Sequence, residues 1–165
     1  MSNHKNIPFY QSRQYSLLGT LLLTAIVIQY SMGWRWDALY TLQMNMAYKQ
    51  ITGFMLFSIF LYQWYLGLSR YQKSQNTKSM TIIHRYIGLG LPVLFYFHSL
   101  KSGFAYQNMI WFLFLLTCLT AYLHPDIFNS RARKLKQIWF ITHISLVSLL
   151  TTLLFYHLYI VYAYS

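Results

Sequence analysis

The sequence contains no glutamate, and Asp37 and Asp126 are its only acidic residues. Carboxylates buried in the bilayer are typical of proton relays and ion-coupled transporters, so their absence argues against both activities. Charge of either sign is scarce. Only 9% of the residues are charged, against about 25% in an ordinary soluble domain. Cysteine is nearly absent as well: Cys118 stands alone inside an apolar run, so no intrachain disulfide forms. There is no C-x-x-C-H motif, which excludes covalent attachment of a c-type haem. No nucleotide-binding fingerprint replaces it. The stretch "GLGLPV" lies within an apolar run with no strand before it, and so is not a Rossmann signal.

What the chain does have is hydrophobic length. Of its 165 residues, 56% are hydrophobic and 20% aromatic. A helix needs about 20 apolar residues to cross a hydrocarbon core. Five segments meet that need, near residues 15–34, 49–68, 81–100, 105–123 and 138–163. The expected fold class is therefore an all-α membrane protein, a single domain of five transmembrane helices covering residues 1–165. Between the segments lie a tryptophan-rich loop (GWRWDALYTLQMNMAY), a polar linker (SRYQKSQNTKSM), a short turn (KSGFAYQ) and a basic loop (HPDIFNSRARKLKQ). Residues 17–28 (LLGTLLLTAIVI) follow a basic, polar start and imitate a signal peptide. No small-residue cleavage site follows, so the run reads as a retained first span.

The formal charge of +11 invites a nucleic-acid partner, but the basic residues occupy gaps between apolar runs and form no reading surface. Their distribution sets topology instead. Ten fall on one side, from Lys5 and Arg13 to Lys134 and Lys136, and three on the other, Arg35, Lys49 and Lys101. The positive-inside rule then puts the N-terminus in the cytoplasm and, after five spans, the C-terminus outside. Trp34, Trp36, Trp64, Trp139, Tyr162 and Tyr164 suit the aromatic belts at the two interfaces.

The polar residues that membrane topology does not explain are histidines. The third segment, "IIHRYIGLGLPVLFYFHSL", carries His84 and His98; the fifth, "WFITHISLVSLLTTLLFYHLYIV", carries His143 and His157. Each pair is fourteen positions apart. That spacing leaves both imidazoles within roughly 40° of one helix face and about 21 Å apart along the axis. Both segments run from inside to outside, so His84 and His143 share a depth near the cytoplasmic face, and His98 and His157 a depth near the outer face. Two opposed imidazoles are what a six-coordinate haem iron requires. The expected sites are thus an inner His84/His143 pair and an outer His98/His157 pair, each holding one haem. Zinc or copper fits poorly. Ligands must converge within about 2 Å of one ion, and two-His sites here lack thiolate or carboxylate partners. A lone histidine in a span also serves helix–helix hydrogen bonding, a role that matched spacing and matched depth make less attractive for all four.

Neighbouring residues admit two readings each. Gly88 and Gly90 let a flat macrocycle approach the helix, or serve helix packing. Arg85 is a partner for haem propionates or a positive-inside anchor. Pro92 is expected to bend the third span. Thr142, Ser145, Ser148, Thr151 and Thr152 reach imidazole nitrogens or bond their own backbones, the second suiting most of them. His124, before Pro125, reads as solvated at the interface, and His4 lies in a polar tail.

The segments "HRYIGLGLPVLFYFHSL" and "THISLVSLLTTLLFYHLYIV" resemble the ferric reductase-like transmembrane domain. That family includes ferric reductases, NADPH oxidases and the haem-binding membrane subunit of bacterial methionine sulfoxide reductase systems. The His-Arg start with glycine four residues after the histidine, and the paired histidines two spans apart, carry the likeness. It implies two b-type haems on His84, His98, His143 and His157, transmembrane electron transfer, and an oxidoreductase component in a bacterial inner membrane. Family members usually have a sixth span and the larger ones a flavin and nicotinamide domain, neither of which the sequence contains. A separate flavoprotein or a quinol is then the expected electron donor, and the acceptor lies outside the cytoplasm. The alternatives are a haem-binding subunit of a multi-protein reductase that is inactive alone, and a haem-free structural or transport protein.

Overall fold

A computed structural model describes residues 9–72, 77–99, 103, 105–125 and 132–163. Among them are six α-helices and no strand. The chain divides into two compact units, Met1–Leu100 and Lys101–Ser165.

The first unit contains α1 (Phe9–Ser31), α2 (Asp37–Met44), α3 (Met46–Tyr71) and α4 (Thr77–His98). α4 packs against the other three, and α2 also against α3. α1 stops at Gly33, whose φ of +66° is the left-handed conformation that glycine adopts without a Cβ penalty. The N–H of Gly33 donates to the Tyr30 carbonyl (3.2 Å) and that of Trp34 to the Gln29 carbonyl (3.1 Å). These two bonds make a Schellman terminus.

The tryptophan-rich segment, expected as a loop, instead forms the short helix α2. Asp37 occupies its first turn, where a negative charge favours a helix start, and lies 3.2 Å from Arg35. Asn45 separates α2 from α3 in extended conformation. Its Oδ1 accepts from the Tyr48 N–H at 3.2 Å, capping α3. Buried Gln43 explains why so short a helix holds. Its amide donates to the Tyr96 and Phe97 carbonyls, both at 2.9 Å, and the Tyr48 hydroxyl also donates to Phe97 at 3.1 Å. These are carbonyls that the end of α4 leaves without helical partners.

The second unit contains α5 (Tyr106–Tyr122) and α6 (Arg133–Ala163), which pack together. Ile110, Leu113, Phe114, Thr117, Cys118 and Tyr122 of α5 are buried. Their spacing of three and four is the stripe that one helix face buries.

Each of the five expected apolar segments coincides with a long helix, with ends shifted by a few residues. Met46–Ser69, Ser79–His98 and Arg133–Ala163 are long and apolar enough to cross a membrane. The burial pattern agrees with an apolar surrounding. Large hydrophobic side chains such as Leu18, Leu21, Ile138, Ile141 and Phe155 are exposed, while Ser16, Gln43, Gln63, Ser69 and Thr117 are buried. Expected bending at Pro92 does not interrupt α4, which runs through the buried proline as one helix. His4, Lys5, Lys101, Asp126 and Tyr164 lie outside the described residues.

Candidate functional site

α4 carries His84 and His98, and α6 carries His143 and His157. Both helices are unbroken between their histidines, so the rise within each pair is about 21 Å. All four side chains are half-buried.

In the first unit, His98 is the last residue of α4 and lies against α3. Its Nδ1 sits 3.0 Å from the Thr52 hydroxyl. The ring rests on the backbone beside Gly53, where a Cβ would lie 3.0 Å from the His98 Cε1. Gly53 is thus what lets the imidazole approach α3 so closely. Near the other end of α4, buried Gln63 of α3 donates to the His84 carbonyl at 3.1 Å. The Gln63 Oε1 is buried with no hydrogen-bond partner among the described residues. The pairings Thr52 with His98 and Gln63 with His84 run in opposite senses along the two helices, so α3 and α4 are antiparallel.

Gly88 and Arg85 are half-buried on the same helix. A Cβ on Gly88 would meet Tyr15 Oη at 3.6 Å and Gln63 Nε2 at 3.9 Å, while one on Gly90 would meet nothing within 4 Å. The space over Gly88 is therefore bordered by α1 and α3. The Arg85 guanidinium lies 6.0 Å from the centre of the Tyr15 ring, at the outer limit of a cation–π contact.

In the second unit, His143 Nδ1 sits 3.0 Å from the Thr120 hydroxyl of α5. Trp139, one turn earlier on α6, stacks on the His143 ring with 5.6 Å between centroids and 4° between planes. Its indole N–H donates to the Thr120 carbonyl at 2.7 Å. His124 packs edge-on against the same indole at 4.3 Å. Trp139 and His124 thus belong to the surroundings of His143. At the far end of α6, His157 lies 6.0 Å from the Tyr106 ring, and its Nδ1 is buried with no hydrogen-bond partner among the described residues.

Two residues that the sequence did not single out, Thr52 and Thr120, are the ones that reach imidazoles. Thr151 and Thr152, named among the residues around the second histidine pair, donate to their own helix, at the Val147 and Ser148 carbonyls (2.6 and 3.1 Å), as expected for most of that group. The available signals were faint: Thr52 precedes a glycine, and Thr120 sits between buried positions of α5.

Chemically, the donors are imidazole nitrogens, two on each of two long helices. Among the described residues no three His, Cys, Asp or Glu side chains form a group that could hold a metal ion. Axial ligation of haem needs only two imidazoles per iron; His157 Nδ1 and Gln63 Oε1 are buried polar atoms without a hydrogen-bond partner among the described residues. No protein-family model, curated protein or solved structure matches this chain.

Proposed function

We propose that this protein is a ferric reductase-like membrane component. In this reading it moves electrons across the bilayer through two b haems held between histidines. The reading takes α1, α3, α4, α5 and α6 as five spans, with the N-terminus cytoplasmic and the C-terminus outside. His84 and His143 would hold the inner haem, and His98 and His157 the outer one. The observation that carries it is the repeated interval: two long helices each bear two histidines at the same spacing, on one face.

Bound there, the haems would supply one-electron redox chemistry, and two imidazoles per iron would leave no position for oxygen. The residues of the chain have the simpler tasks of ligation, spacing and exclusion of water. His98 is fixed by Thr52 and Gly53, and His143 by Thr120 and Trp139. Arg85 is offered as a partner for haem propionates near His84, and Gly88 as the small residue beside the macrocycle. The electron donor would be a separate flavoprotein or a quinol, and the acceptor an extracytoplasmic partner or ferric complex.

The deciding measurement is the absorbance spectrum of protein purified in detergent, with haem quantified per chain. Reduced b-type bands at a stoichiometry near two support the proposal. A colourless protein overturns it and leaves a haem-free structural or transport role. Co-purification of coloured protein with a flavoprotein or periplasmic reductase would identify it as a subunit rather than a free-standing reductase.

A further inference from the structure

We infer that Thr52 and Thr120 are positioning residues that fix His98 and His143 as the Nδ1-protonated tautomer, the form that ligates through Nε2. The inference rests on the haem reading only for what Nε2 binds; the tautomer is argued from the hydroxyls' other acceptors.

A threonine hydroxyl has one proton and two lone pairs. The Thr52 hydroxyl donates to the Tyr48 carbonyl of its own helix at 2.8 Å, with the Lys49 carbonyl at 3.3 Å as the alternative acceptor. Either way the proton stays within α3. What the hydroxyl then offers His98 Nδ1 at 3.0 Å is a lone pair, which makes Nδ1 the donor in the inferred arrangement. A neutral imidazole protonated at Nδ1 carries its lone pair on Nε2. The same count holds in the other unit. The Thr120 hydroxyl donates to the Thr117 carbonyl at 2.9 Å, so it accepts from His143 Nδ1 at 3.0 Å. The device thus occurs twice, each time on the helix preceding the histidine helix and in an unrelated local sequence. That recurrence is hard to ascribe to chance packing.

In the proposed pairing, His143 belongs to the inner pair and His98 to the outer, so each haem would receive one threonine-held ligand. A hydrogen bond accepted from Nδ1–H raises the basicity of the ligating nitrogen, which favours ferric over ferrous iron.

The test uses the full-length, 15N-histidine-labelled protein in detergent, and Thr52→Val, Thr120→Val and the corresponding serine variants. In haem-loaded protein, T52V should raise one of the two midpoint potentials and T120V the other, with serine restoring each. In a preparation without haem, ring 15N shifts read the tautomers directly. They should show Nδ1–H at His98 and His143, lost selectively in the matching valine variant. Potentials or tautomers that ignore both valine substitutions overturn the inference. If a valine variant fails to fold, an Nε2–H tautomer at either histidine in the parent protein overturns it alone. A colourless protein with the stated tautomers would sink the haem reading and keep this one.

Discussion

α4 and α6 carry the same histidine spacing, yet their own units hold them differently. α4 is met by α1, α2 and α3, whereas α6 is met by α5. At the His98 end, the anchoring is largely backbone: Gln43 and Tyr48 donate to the last carbonyls of the helix, and Gly53 lets the ring rest on α3. At His143, within α6, the anchoring is aromatic, through Trp139 stacked on the ring and bonded to Thr120. A shared interval along the helix therefore does not require a shared scaffold. What the two sites have in common is one hydroxyl at Nδ1.

This contrast can be broken at several strengths. The largest effect is expected from the histidines themselves. Alanine at His98 or His157 should remove one haem of the two, and alanine at His84 or His143 the other, read as spectra and haem content. Selective loss of the same haem from His84→Ala and His98→Ala would break the pairing. Next comes Gly53→Val, whose branched side chain would displace the His98 ring from Thr52. It should cost the outer haem alone, while Gly67→Ala on the same helix, where a Cβ meets nothing within 4 Å, should leave both. Gln43→Ala comes third. Leaving the Tyr96 and Phe97 carbonyls without this donor should destabilise the first unit by about 1–3 kcal/mol. Thermal unfolding followed by the haem bands would register it at both, because in the proposed pairing each haem takes one ligand from this unit. The smallest effect is expected from Trp139→Phe, which keeps an aromatic face on His143 but loses the bond to Thr120. A stability loss of about 1 kcal/mol, with a change confined to the inner haem's spectrum, would mark the two anchoring modes as independent. Equal disturbance of both haems would contradict that.

Long helices were legible from composition, because apolar runs of span length leave few other solutions. The histidine spacing was legible for a similar reason: residue number converts directly into rise and angle on a helix. α2 was not. WDALYTLQM has too little length to persist unaided, and its stability comes from Gln43 reaching α4, a contact that no local pattern announces. Thr52 and Thr120 escaped for the same reason. A threonine in an apolar helix ordinarily bonds its own backbone, and these two do so while also accepting from a neighbour. Trp139 carried an interfacial signal, and its packing on His143 is a further contact that this signal does not announce. Gly88 was legible as a place where something approaches α4, and the residues bordering it are Tyr15 and Gln63.

Gln43 and the carbonyls it serves are 53 and 54 residues apart in the chain, which has a consequence for the order of assembly. During synthesis the segment that becomes α2 emerges well before Tyr96 and Phe97 exist. An isolated eight-residue helix is marginal at best, so α2 cannot act as an early nucleus. It is expected to consolidate late, once α3 and α4 lie side by side, and its closure completes the His98 end of the unit.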